Sequence, residues 1–235
     1  MPLTKTFTEE ILFFRTMLEN KTPFAISRFG DGERIIMEGT PLNLLHKGEF
    51  NYQGQDDLRE DLTRAFQYDN KNYFIGISCP CCQPLDKVTW MKESTYLPDS
   101  RLTWANIFVN GNFRYFREYF IKEFTNYTVT FIGPGNINNL PFDIKYKYSV
   151  GPDAWIHNTS VYSSLKKQII DNKSKNELFL FCAGPYANIL IYKLYKEFPE
   201  NTYLDLGSVF NIELGIGANR GYLSGGTNLQ KVCVW

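Results

Sequence analysis

The sequence predicts an α/β fold with a largely parallel central sheet flanked by helices, and three observations predict it. Short runs such as "YFIGIS" (73–78) and "ELFLFCA" (177–183) are apolar almost throughout, as strands buried on both faces are. Between such runs lie longer segments with helical spacing of apolar residues, "NFRYFREYFIKEF" (112–124) and "ANILIYKLYKEF" (187–198). Glycine, proline and acids gather where the strands end, which is where open parallel sheets bind their ligands.

Taken in chain order, Thr6 and Glu9 form a capping box, and Ile11, Phe14 and Leu18 share one face of a helix ending near Lys21 and Pro23. "FAISRF" (24–29) reads as the first strand, "GDGE" (30–33) as the turn leaving it, and "RIIMEG" (34–39) as a short helix stopped by Gly39 and Pro41. Further strands are expected at 73–78, "NIFVN" (106–110), "TVTFIG" (128–133), "IKYKYSV" (144–150), 177–183 and "TYLDLG" (202–207).

At 235 residues the chain has room for a full core, and we read it as one domain, 1–235. Lysine plus arginine equal aspartate plus glutamate at 25 each, so no global field draws it to nucleic acid or anionic lipid, and a charged ligand must be gripped locally. The opening "MPLTKTFTEE" lacks the order of a signal peptide, and no apolar run approaches the roughly 18 residues of a membrane helix. Five cysteines, an odd number, fit a reducing compartment, and the cytoplasm is the expected location. The aromatic content of 16% is assigned to the core rather than to stacking surfaces. No internal repeat is visible.

Asp31-Gly32 is an ordinary turn dipeptide, but Asp31 and Glu33 are also two hard carboxylates flanking a glycine, a pattern suited to a divalent ion that keeps waters and binds phosphates. "GPGN" (133–136) and "AGPYAN" (183–188) offer backbone N–H groups, the second where Pro185 opens a helix whose N-terminus favours phosphate. With "DLGS" (205–208), these segments are expected to line one shared cleft. No P-loop occurs, and "GIGANRG" (215–221) lacks the spacing of a dinucleotide fingerprint. Cys79, Cys81 and Cys82 in "SCPCCQP" (78–84) raise the question of zinc; the spacing is wrong for paired C-x-x-C knuckles and only His46, His157, Cys182 and Cys233 are left to complete a tetrahedron, so the segment reads as a strand-end turn with buried thiols. His157 reads as a capping or hydrogen-bonded residue, Arg117 as part of a solvated helix face, and Arg114 as the arginine placed to grip phosphate.

"SRFGDGE" ending the first strand, followed by "FCAGPYANILIYKLY" and "TYLDLGSVFNIEL", resembles the GT-D-type glycosyltransferases, a family first described as a domain of unknown function; the similarity spans residues 24 to 213 or so. The resemblance implies a Rossmann-like fold and an Asp-x-Glu motif serving a metal and a sugar-nucleotide donor. Carried over, it makes Asp31 and Glu33 the metal-linked catalytic acids, with Arg28, Phe29 and Gly30 shaping the same wall. Gly184 and Pro185 match the family's glycine-proline, and Asp205, Gly207 and Ser208 its late strand end. After "LDLGS" an acid is expected two or three residues on, where this chain has Asn211 and then Glu213, and some relatives carry an acidic-glycine stretch where this chain has "GPGN".

The function implied is transfer of a sugar from a nucleoside diphosphate sugar, a UDP-hexose, to an acceptor hydroxyl with the help of Mn2+ or Mg2+. Glu213, Asp205 and Asp153, in that order, are candidates for a catalytic base, and Arg114, Gly133, Gly135 and Asn136 for donor contacts. The acceptor is a glycan, glycolipid or glycoprotein met by loops 40–70 and 79–104, nucleic acid is disfavoured, and a homo-oligomer is compatible. The alternatives are a noncatalytic carbohydrate- or nucleotide-binding module and a nucleotide-sugar hydrolase.

Overall fold

The computed structural model describes residues 5–235, the side chain of Lys47 excepted. Helix α1 (Phe7–Glu19) starts as its sequence dictates: Thr6 Oγ1 accepts the Glu9 N–H at 3.3 Å, and Glu9 Oε2 accepts the Thr6 N–H at 2.8 Å. Its buried face carries Phe7, Ile11, Phe14 and Leu18.

Strand β1 (Ala25–Arg28) runs almost directly into α2 (Asp31–Met37), so "GDGE" is the first turn of that helix rather than a loop before it. The side chain of Glu33 causes the early start, because its Oε2 reaches back to accept the Gly30 N–H at 2.9 Å and closes the turn. Next comes a small antiparallel hairpin, β2 (Leu42–Asn43) and β3 (Asn51–Tyr52), followed by α3 (Asp56–Phe66), β4 (Tyr73–Ile77), α4 (Leu85–Ser94) and β5 (Leu102–Trp104). Then follow α5 (Phe113–Glu118), β6 (Val129–Gly133), β7 (Tyr146–Ser149), α6 (Ala154–His157), α7 (Ser160–Asn172), β8 (Leu178–Phe181), α8 (Pro185–Glu197) and β9 (Thr202–Asp205).

Seven of these strands form one sheet in the order β5-β4-β1-β9-β8-β6-β7, with every neighbouring pair parallel. β4, β6, β8 and β9 are buried along their whole length, which explains their largely apolar sequences. Edge strand β7 instead alternates half-buried and exposed residues. The first strand lies beside the last, Ala25 opposite Tyr203 and Ile26 opposite Leu204.

Two expected elements differ. The strand predicted at 106–110 lies earlier, at β5, and residues 106–109 form a turn that buries Ile107, Phe108 and Val109. Phe108 packs on Phe116 and Phe120, each at 5.2 Å between ring centres. A continuous apolar run reports burial, not extension, so the sequence pattern could not separate the two. The helix expected over 112–124 is interrupted: α5 ends at Glu118, and Phe120–Asn126 continues as tighter 3-10 turns. Cys79, Cys81 and Cys82 do lie in a turn after β4, the first buried and the others half-buried, and no disulfide forms among the described residues.

Candidate active-site cleft

A cleft of about 410 Å³ opens beyond the carboxyl ends of β1, β8 and β9. Its floor is set by a staple between the two central strands. Asp205, at the end of β9, is buried and accepts the Arg28 N–H on Oδ2 at 3.1 Å and the Gly207 N–H on Oδ1 at 3.0 Å. Desolvation raises its pKa even with the Arg28 guanidinium nearby. Arg28 folds over this junction, donating from Nη1 to Leu206 O at 3.1 Å, while its buried Nε has no protein partner. Gly207 adopts φ +55°, and a Cβ there would stand 3.0 Å from Arg28 Nη2, so the close passage of arginine and backbone requires glycine.

Above this floor, the first turn of α2 presents Asp31, exposed to the cleft, and Glu33, set deeper. Burial pushes the Glu33 carboxyl up to about 7, and the neighbouring Asp205 and Asp31 charges add to the rise against the Gly30 hydrogen bond. Acids at a helix N-terminus are favoured by its partial positive charge, which partly offsets their crowding. The N-terminus of α8 lines the same cleft, with Gly184 as cap and Pro185 as first helical residue. Asn188 in its first turn ties it to the floor, donating from Nδ2 to Ser27 Oγ at 3.0 Å and Arg28 O at 2.9 Å.

The donor set suits a hard cation. Asp31 and Glu33 offer carboxylate oxygens in a cleft whose acids (with Glu49, Asp153 and Asp205) outnumber its arginines, Arg28 and Arg220. Two carboxylates leave most of a cation's coordination to water or phosphate, the usual arrangement for Mg2+.

Of the segments expected to meet here, those after β1, β8 and β9 do. Gly30, Asp31, Glu33, Gly184, Pro185, Gly207 and Ser208 all line the cleft, as does Arg28; Ser208 Oγ also lies 2.6 Å from Tyr222 Oη. "GPGN" contributes only Pro134. Gly133 is buried at the end of β6, and the Asn136 N–H is engaged by Leu214 O at 2.9 Å. Gly135 has φ +73°, and a Cβ there would fall 2.0 Å from Leu214 O, so its glycine serves that close crossing rather than a ligand. Phe29 is a core residue, packed at 4.7 Å on Phe66. Arg114 points into solvent, its side chain 87% exposed and paired with Glu118 at 3.5 Å.

Glu213 lies outside the cleft in an ion pair with Arg117, whose guanidinium sits 5.2 Å over the Phe210 ring. Arg117 is therefore not on a free solvated face. Asp153 lines the cleft with φ +50°, and its Oδ1 accepts the Asn51 N–H from the β2–β3 hairpin. His157 is exposed at the end of α6.

Sequence reasoning missed the residues that loops deliver: Glu49 from the hairpin, Asn106 and Asn110 after β5, and Asn211, Arg220 and Tyr222 after β9. Glu49 and Arg220 form an ion pair across the rim. "GIGANRG", set aside as a dinucleotide fingerprint, supplies Asn219 and Arg220 to this wall. The one sequence signal was Asn110, which takes φ +53° directly after a buried apolar run, a conformation asparagine tolerates better than most residues.

No family model and no curated protein matches the chain by sequence. Three solved structures are similar in fold. One, described as a new glycosyltransferase from Streptococcus sanguinis, aligns with a TM-score of 0.60 at 16% identity over 92% of this chain and 84% of its own. Another, a domain of unknown function 1792 described as having a distinct glycosyltransferase fold, aligns with a TM-score of 0.57 at 18% identity over 92% and 81%. A selenomethionine-substituted structure of domain of unknown function 1792 gives 0.58 at 16% identity over the same shares, 92% and 81%. The parallel sheet, its flanking helices and these alignments together establish that the chain has the glycosyltransferase fold of domain of unknown function 1792.

Proposed function

We propose that the protein is a metal-dependent glycosyltransferase of the cytoplasm that moves a hexose from a nucleoside diphosphate sugar, a UDP-sugar, to an acceptor hydroxyl on a glycan, glycolipid or glycoprotein. The observation that carries the reading is that the Asp31/Glu33 pair and the α8 N-terminus line one cleft. Asp31 and Glu33 would hold Mn2+ or Mg2+, and such an ion acts as a Lewis acid on the diphosphate oxygens as charge develops on the leaving group.

The chain's own groups act on the same charge. The N-terminus of α8 and the Arg28 guanidinium are positive features of the cleft and suit the departing diphosphate. Asp205, with a backbone N–H on each carboxylate oxygen, holds β1 and β9 in register and is a positioning residue in this scheme. With Glu213 tied to Arg117 and Glu49 to Arg220, Asp153 is the cleft carboxylate we assign to receive the acceptor proton.

The test is incubation with a panel of nucleotide sugars, Mn2+ and candidate acceptors, measuring nucleoside diphosphate release and sugar transfer. Asp31→Ala and Glu33→Ala are expected to keep the wild-type circular dichroism spectrum and to lose at least about a hundredfold in transfer rate. Full activity in either variant overturns the assignment. Saturable nucleotide binding without release would instead identify a noncatalytic module, and release without acceptor a hydrolase.

A further inference from the structure

The Sγ atoms of Cys79, Cys81, Cys82 and Cys233 all lie within 4.8 Å of one another. Three belong to the turn after β4, where the Cys82 and Gln83 N–H groups both bond Cys79 O, at 2.9 and 3.0 Å, and curl the segment so that its sulfurs converge. The fourth arrives from the far end of the chain. The tail is guided there by the Gly111 N–H bonding Lys231 O at 2.9 Å and by Trp235, whose ring centre stands 6.3 Å from that of Trp104.

The spacing has a chemical meaning. Cys79 and Cys81 sulfurs are 2.8 Å apart, and those of Cys81 and Cys82 3.7 Å. Four thiolates bound tetrahedrally to zinc, with Zn–S of about 2.3 Å, stand about 3.8 Å from one another; the Cys81–Cys82 pair matches this, and the Cys79–Cys81 pair reaches it by opening about 1 Å. A multi-iron cluster divides its four thiolates among two or more irons and so spreads the set farther. The surroundings also fit: Asn106 Nδ2 points at Cys82 Sγ at 3.2 Å and Cys233 Sγ at 3.9 Å, the kind of outer hydrogen bond that orients metal-bound sulfur.

We infer that Cys79, Cys81, Cys82 and Cys233 bind one zinc ion as a tetrathiolate site that fastens the C-terminal tail to the turn after β4. As each Zn–S bond forms, the thiol proton leaves to solvent and no electron changes hands. Asn106 faces both the sulfurs and the cleft, and Asn228 lines the cleft from the same tail, so the ion holds one wall of the cleft in place. The inference stands apart from the glycosyl-transfer reading, because none of its ligands is a cleft carboxylate.

The experiment is metal analysis of the intact chain, expressed with zinc and desalted without chelator, by inductively coupled plasma mass spectrometry. Wild type and Asp31→Ala are expected to carry about one zinc per chain, and Cys82→Ser and Cys233→Ser less than about a tenth of that. Cobalt substitution of the wild-type chain supplies a readout that needs no variant to fold: thiolate-to-cobalt charge-transfer bands with intense tetrahedral ligand-field bands are expected. Wild-type chain with no zinc, an S–S bond between these cysteines, iron in the same position, or zinc kept in Cys233→Ser and lost in Asp31→Ala each overturns the assignment.

Discussion

Glu33 Oε2 accepts the Gly30 N–H, so this carboxylate both caps α2 and faces the cleft. Glu33→Gln keeps an acceptor for that N–H while removing the charge, whereas Glu33→Ala removes both. We therefore expect both variants to lose transfer, but only Glu33→Ala to lose about 1 kcal/mol of stability in urea titration. Glu10 illustrates a buried acid away from the cleft. Burial raises its pKa, with Lys5 at 3.9 Å opposing the rise. Because the folded value lies above the unfolded one, the stability linked to its proton is complete below the unfolded pKa and is lost as pH rises through the folded one. Glu10→Gln should then raise the melting temperature at pH 7, with the gain shrinking at pH 4; an equal shift at both values would contradict the argument.

At the scale of elements, α8 is locked to β1 by one side chain. Asn188 donates to Ser27 Oγ and Arg28 O and is fully buried, so Asn188→Ala takes a buried donor from both acceptors. We expect a loss of about 1–3 kcal/mol, read as a lower urea midpoint with unchanged slope. Elements also show where sequence was informative. α1 was legible to its cap because the Thr6/Glu9 box is local chemistry. The start of α2 was not, since "GDGE" satisfies the rules of a turn until the Glu33 side chain is seen to close it. "NIFVN" failed for a different reason: burial imposed by Phe116 and Phe120 from a later segment makes a turn look like a strand.

For the molecule as a whole, the parallel sheet was legible because strands covered on both faces must be apolar, yet the strand order was not, as it depends on pairings between distant segments. The cleft divides in the same way. Its strand-end residues stood out as glycines and acids in unusual places, while Glu49 and Arg220 sit in polar loops that resemble any other surface, and Asn106 opens an apolar run that reads as a strand. Cys233 was one of four residues, with His46, His157 and Cys182, that could complete a tetrahedron with Cys79, Cys81 and Cys82, and only the folded tail singles it out.

β9 stands between β1 and β8 although it is the last strand to be made. Like a keystone, it joins two half-sheets that cannot fuse without it, and during synthesis each half presents a bare edge on the ribosome. A nascent chain ending at residue 201 should accordingly pellet in a solubility assay unless a holding chaperone is supplied, while extension through Asp205 and the segment after it should restore the soluble fraction.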